Sequence, residues 1–211
     1  MNASRPRTGP LTRPYWVALK AMLVFTVVLG IAYPLVITVV GQVALPAQAN
    51  GSLVRSSGEV VGSDLIGQSF TDADGAIRPE WFQSRPSAAG DGYDASASSG
   101  SNWGPENADL IQAITDRQAA ISKLDDVPVA EIPADAVTAS ASGLDPQISP
   151  AYARLQVERV AAARDLPEAD VRALVDAAEQ APDLGYLGEP TVNVLNLNIA
   201  LAQLESEQGK G

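Results

Sequence analysis

Ala21–Gly41, AMLVFTVVLGIAYPLVITVVG, runs for 21 residues without a formal charge, and its reading places every other segment. At about 1.5 Å of rise per residue, a helix of this length covers about 30 Å, the hydrocarbon thickness of a bilayer. Val, Ile and Thr are abundant in it. In hydrocarbon, however, a lone segment satisfies its backbone N–H and C=O groups only as a helix. A membrane helix is therefore expected within residues 15–43, with Tyr15 and Trp16 at an interfacial belt.

The flanks orient it. Arg5, Arg7, Arg13 and Lys20 stand before the run, and the first acidic residue of the chain is Glu59. The positive-inside rule then makes residues 1–14, with three prolines, a disordered cytoplasmic arm, and residues 44–211 an extracytoplasmic domain. The expected location is the cell membrane, crossed once. A cleaved secretory signal also fits the basic arm and the A-x-A form of Ala47-Gln48-Ala49. Against cleavage, the apolar run exceeds the roughly 7 to 15 residues of a signal core and carries Pro34.

Within the span, Thr26, Gly30, Pro34 and Thr38 recur every four residues and make a gently winding stripe of small or polar groups. Helices associate in lipid where small residues let backbones approach, so this stripe is a candidate packing face for a partner helix; a chance scatter is the alternative. Pro34 is expected to bend the helix.

All 25 acidic residues follow the span, against ten of the 14 basic ones, so this part carries a formal charge near −15. Such a surface disfavours nucleic acid and attracts cations. Cysteine and histidine are both absent. That excludes disulfides, thiol nucleophiles, His-centred metal sites and a Ser-His-Asp triad. No phosphate-binding glycine loop of either common kind is present.

The remaining pattern predicts an α+β domain, mostly helical with a few short strands. Pro46 and Asn50-Gly51 mark a turn out of the membrane, and LVRSSGEVVGSDLIGQSF (53–70) reads as a hairpin around Ser57-Gly58 followed by an extended segment. Residues 71–105 form a long loop, expected to be ordered because Trp81, Phe82, Tyr93 and Trp103 are embedded in it. Pro105 starts an amphipathic helix to Leu124, with Glu106 and Asp109 in its first turn and Leu110, Ile114, Ile121 and Leu124 along one side. A strand is expected near Val137-Thr138. A second helix runs from Ser149-Pro150 to about Arg164, burying Ala151, Leu155 and Val160. A third, after Leu166-Pro167, buries Val171, Leu174, Val175 and Ala178. Thr191–Leu195 reads as a strand and Asn196 as the cap of a last helix, followed by a polar tail.

Chemistry has few candidates. Asp91, Asp94 and Glu106 offer carboxylates for acid/base work, though nothing fixes their separation and a solvated surface is the preferred account of them. The run Ser96–Asn102 offers oxygen ligands to a hard cation or is simply a turn. No catalytic site and no metal site follow from these residues.

Taken together, YPLVITVVGQ, ANGSLV, GSDLIGQSF, FQSRPSA, SGSNWGPEN, VTASASGLDPQISP, RVAAARDLP and LGEPTVNVLNLNIAL, in this order from Tyr33 to Leu201, resemble the C-subunit family of the Kdp high-affinity potassium-transporting P-type ATPases. One departure is Trp81-Phe82, where the family often has Tyr-Phe. The resemblance implies a non-catalytic subunit of an ATP-driven potassium uptake complex, with a channel-like A subunit that takes in potassium, an ATP-hydrolysing B subunit and a small F subunit as partners. It also implies a catalytic chaperone that raises the ATP affinity of the B subunit and shares its nucleotide. No cofactor is otherwise expected in this chain. An outside domain would act on cytoplasmic ATP only by coupling through membrane helices. Arg85, Pro86, Ser99, Gly100, Ser101, Asn102, Gly104 and Pro105 are the expected partner-facing external loop. The alternative is a membrane-anchored exported binding or enzymatic domain unrelated to potassium.

Overall fold

The computed structural model describes residues 12–208. Arg5 and Arg7 of the basic arm lie outside the described residues, whereas Thr12–Pro14, expected in that arm, already belong to the first helix. The chain divides into two units, the first ending at Ser52 and the second beginning at Leu53.

In the first unit, Arg13–Ala44 is one helix of 32 residues, long and apolar enough to cross a membrane. It consists of α1 (Thr12–Val27), a π turn (Val28–Ala32) and α2 (Tyr33–Ala44). Pro34 explains the π turn. Proline lacks an N–H and its ring collides with the carbonyl four residues back, here that of Gly30. Widening the preceding turn relieves the collision, and the Tyr33 N–H reaches back five residues to the Val28 carbonyl. Leu45 leaves helical geometry, and the short α3 (Pro46–Ala49) follows. Asn50 closes it, with Nδ2 donating to the Pro46 carbonyl at 2.7 Å and to Gln42 Oε1 at 3.0 Å.

The second unit opens with the expected hairpin, β1 (Leu53–Ser56) antiparallel to β2 (Glu59–Ser63). Ser57 and Gly58 both take positive φ, which is what a two-residue turn of matching twist requires. From Asp64 to Asn107 no helix or named strand forms among the described residues. α4 (Ala108–Asp125) begins three residues later than Pro105, because the Asn107 side chain accepts from the backbone N–H of Asp109 (2.7 Å) and of Leu110 (3.2 Å). Glu106 consequently falls outside the first turn.

Val137-Thr138 is not a strand. Val137 ends α5 (Ala134–Val137), a single turn after Pro133 in which the Asp135 carboxylate accepts from Ser149 N (2.7 Å) and Oγ (2.9 Å). Those long-range bonds outweigh the β preference of Val and Thr. Next come β3 (Gln147–Ile148) and α6 (Pro150–Leu155), with Ser149 as N-cap and Pro150 at its first position, as expected. The expected single helix to Arg164 breaks at Gln156 and resumes as α7 (Val157–Arg164). Ala151 is exposed; Tyr152 and Ala153 are buried in its stead. α8 (Glu168–Ala178) buries Val171 and Val175, with Leu174 and Ala178 packed on the core, as its spacing predicts.

β4 (Glu179–Gln180) and β5 (Thr191–Asn193) complete a three-stranded antiparallel sheet in the order β3-β5-β4. β5 turns directly into α9 (Val194–Gln208). Asn193 rather than Asn196 makes this corner: its Oδ1 accepts from the Asn196 N–H at 3.1 Å while its Nδ2 donates to the Asp64 carbonyl at 2.9 Å. Val157, Val160, Val171, Val175, Val192, Leu197 and Leu201 join the helices to the sheet in one apolar core, and Phe82 enters it from the irregular segment. This unit is thus mixed helix and strand, with more helix than strand.

Candidate functional site

The irregular segment holds FQSRPSA and SGSNWGPEN, and its order has an identifiable source. Residues 79–83 pass from a turn, closed by Trp81 N–H donating to the Arg78 carbonyl at 3.2 Å, into the buried Phe82-Gln83, and most of their backbone groups are claimed by side chains. Asn198 accepts from Phe82 N and donates to Phe82 O, both at 3.0 Å. Gln156 does the same for Gln83, at 2.7 and 3.2 Å. Arg164 donates to the Glu80 carbonyl, and Arg159 Nη1 to those of Pro79 and Trp81. Each amide thus acts as a short piece of partner strand. The guanidinium of Arg159 is itself buried, with Nε donating to Asp125 Oδ1 at 2.7 Å and Nη2 to Gln156 Oε1 at 2.7 Å. Burial outweighs the pull of Arg159 and holds the Asp125 carboxyl above its ordinary value.

Three of the four expected rings pin this segment. Phe82 is fully buried. Trp81 lies between the guanidinium groups of Arg164, 4.0 Å from its ring centre, and Arg78, at 5.6 Å. The Tyr93 hydroxyl donates to the Arg85 carbonyl at 2.8 Å, and burial raises its pKa to about 12. Trp103 is 38% exposed and pins nothing comparable.

The expected external-loop residues fall into two groups. Arg85 and Pro86 are built into the body: Arg85 Nη1 pairs with Asp145 Oδ2 at 3.1 Å, and the Pro86 carbonyl accepts from Ser140 N at 3.0 Å. Gly100 is packed so closely that a Cβ would stand 2.7 Å from the Ala141 carbonyl. Ser99, Asn102, Gly104 and Pro105 are exposed and Ser101 half-exposed, with Asn102 at positive φ and its Nδ2 donating to the Gly100 carbonyl at 3.1 Å. Of the carboxylates, Asp94 is engaged in a local turn, accepting from Ser96 N (2.8 Å) and Oγ (2.7 Å), which lowers its pKa. Asp91 and Glu106 are exposed. Among the described residues no group of three or more acidic side chains gathers to hold a metal.

On the apolar helix, Thr26, Gly30, Pro34 and Thr38 are all exposed. A Cβ at Gly30 would lie 4.0 Å from Thr26 Cγ2, so these two are neighbours on one side. Thr38 Oγ1 donates to the Pro34 carbonyl at 2.8 Å, which removes its polarity from the surface. A step of four residues overshoots an α turn by about 40°. The wider π turn takes up part of that overshoot, so the stripe winds less than a regular helix would make it.

Within the second unit, a cleft of about 330 Å³, at the low end of small-ligand sites, lies between the irregular segment and α4. Phe70, Ile77 and Ile121 give it apolar walls; Arg85, Arg117 and Tyr152 also line it. Arg117 was legible as an anomaly, since it occupies the apolar side of α4 between Ile114 and Ile121. Its Nη1 donates to the Val137 carbonyl at 2.9 Å, and burial lowers its pKa. Tyr152 is 4% exposed and burial raises its pKa strongly.

A family model described as "KdpC: K+-transporting ATPase, c chain" matches residues 15–203. Proteins named potassium-transporting ATPase KdpC subunit are similar over most of their length. One from Caulobacter vibrioides is 59% identical over 185 residues, covering 87% of this chain and 90% of the relative. Another from Kineococcus radiotolerans is 51% identical over 191 residues, covering 90% and 94%. A third from Mycobacterium tuberculosis is 50% identical over 188 residues, covering 89% and 96%.

Proposed function

This chain belongs to the KdpC family, the c chain of K+-transporting ATPases, and so is an accessory subunit of potassium transport; we propose that it assembles and stabilises an ATP-driven, high-affinity uptake complex without catalysing a step itself. The observation that carries this reading is the extent of the match, which takes in the apolar helix and the body together.

In this reading α1 and α2 cross the cell membrane with the arginine-led end in the cytoplasm, and the acidic body stands outside. The column Thr26, Gly30, Pro34 and Thr38 packs against a helix of a partner subunit, because backbones approach most closely where side chains are smallest. Ser99, Ser101, Asn102, Gly104 and Pro105 meet the channel-like A subunit, positioned by Arg85, Pro86 and Gly100 behind them. The ATP-hydrolysing B subunit and the small F subunit complete the complex, and potassium is the ion carried. A body outside the membrane raises the ATP affinity of the B subunit through the membrane helices rather than by touching nucleotide.

The test is co-purification in mild detergent from cells grown in low potassium. The wild-type chain is expected to bring down a potassium-stimulated ATPase. Gly30→Leu should reduce that recovery while leaving the amount of this chain in the membrane unchanged. Recovery of the chain alone would refute the assembly role, and failure of a membrane-impermeant thiol reagent to label Ser99→Cys, at an exposed position, in spheroplasts would refute the topology.

A further inference from the structure

We infer that the cleft between the irregular segment and α4 is a binding site for a small organic monocarboxylate with an apolar body, independent of the transport reading. Three donors border it with capacity unused. Tyr152 is 4% exposed, yet its hydroxyl has no hydrogen-bond partner among the described residues. Arg117 spends one of its five N–H groups on the Val137 carbonyl and has no carboxylate partner among the described residues. Arg85 directs Nη1 to Asp145, while its Nε is buried without a partner. Of these only Arg85 Nε is a fully buried orphan; the Tyr152 hydroxyl and the remaining N–H groups of half-buried Arg117 line the cleft without a protein acceptor, and a carboxylate there would supply one.

The balance of charge selects the class of ligand. Asp145 offsets Arg85 at 3.1 Å, so Arg117 is the one uncompensated guanidinium of the three polar groups described. A monoanion matches that single charge. A phosphate dianion would add charge beside the exposed Asp91, which also lines the cleft. Phe70, Ile77 and Ile121 would cover the rest of the ligand, a hydrocarbon body of about the size of a benzene ring. A free metabolite or the carboxyl end of a peptide supplies the same group.

The probe is 4-fluorobenzoate, followed by fluorine NMR on the full chain in detergent micelles. Saturable broadening is expected in the millimolar range or below, reversed by benzoate and not by benzyl alcohol, which lacks the charge. Arg117→Gln should weaken binding about tenfold or more, as loss of a charge-assisted bond does. Tyr152→Phe should weaken it several-fold with an unchanged melting temperature, since that hydroxyl has no internal partner to lose. Asp91→Asn should tighten it. If Arg117→Gln fails to fold, Arg117→Lys and Tyr152→Phe carry the test. Tighter binding of N-acetylphenylalanine than of benzoate would assign the site to a peptide end, and the reverse to a free acid. The inference is overturned by no saturable binding at about 10 mM, by equal binding in Arg117→Lys and Tyr152→Phe, or by inorganic phosphate displacing the probe below the benzoate concentration that does so.

Discussion

Gln156→Leu tests the view that side chains, more than backbone pairing, hold residues 79–83 in place. Leucine matches glutamine in bulk, so the change removes polarity and little packing. Gln156 is fully buried, and three groups lose their partner at once: Gln83 N–H, Gln83 C=O and Arg159 Nη2. Each buried group left unpaired costs about 1–3 kcal/mol, and the added apolar burial offsets part of that, so a loss of roughly 3–6 kcal/mol is expected. Against a total stability of about 5–15 kcal/mol, that is a large fraction. Asn198→Leu strands only the two groups of Phe82 and leaves Arg159 intact, so it should cost less. Urea unfolding of the full chain in micelles, read by tryptophan emission, gives the stabilities, and limited proteolysis within residues 64–107 shows whether the segment is released. If Gln156→Leu stays within about 1 kcal/mol of the parent with the segment equally protected, the side-chain clamp is not what orders it.

Two further outcomes follow from single residues. Tyr93 stays neutral in the folded protein to about pH 12, whereas an unfolded tyrosine ionises near 10, so the unfolded state is favoured as pH rises between those values. Over that interval the parent should lose roughly 2–3 kcal/mol more than Tyr93→Phe, which keeps the loss due to buried Tyr152; parallel urea titrations at pH 9 and pH 11.5 check it, and identical pH slopes would refute it. Gly143 has φ +69, and a Cβ there would stand 2.6 Å from the Ser99 carbonyl and 2.9 Å from Ala89 N, backbone atoms that cannot swing aside. Gly143→Ala should therefore cost about 2 kcal/mol or more, while Gly104→Ala, whose Cβ meets nothing within 4 Å, should stay within about 0.5 kcal/mol; melting temperatures of the two variants decide.

Elements whose cause is local were legible in the sequence. The charge-free run gave the helix, Ser57-Gly58 the hairpin, and Ser149-Pro150 the start of α6. Errors fell where a distant partner decides. Val137-Thr138 reads as strand until Asp135 bonds to Ser149, and nothing in Glu179-Gln180 announces a strand before β5 lies beside it. Asn107 and Asn193 displaced the expected helix starts because an asparagine side chain that reaches free N–H groups outranks a nearby proline or a second asparagine. Among the expected external-loop residues, the sequence could not tell Arg85, engaged with Asp145, from Asn102 at the surface. Tyr152 and Arg117 meet only through folding, so the cleft left a single trace, a basic residue on the apolar side of α4.

The clamp on residues 79–83 also sets an order of events during synthesis. Phe82 waits for Asn198, 116 positions further along the chain, and Gln83 for Gln156, 73 positions along. A body made from its N-terminal end must therefore keep this segment open until the last helix has emerged. Closing so long a loop is slow relative to forming hairpins and single helices. A chain that stops before α9 would form β1, β2 and α4 and could engage Gln83 through Gln156, yet it would leave Phe82 without its Asn198 partner, a target for quality-control proteases at a point that is fully buried in the finished protein.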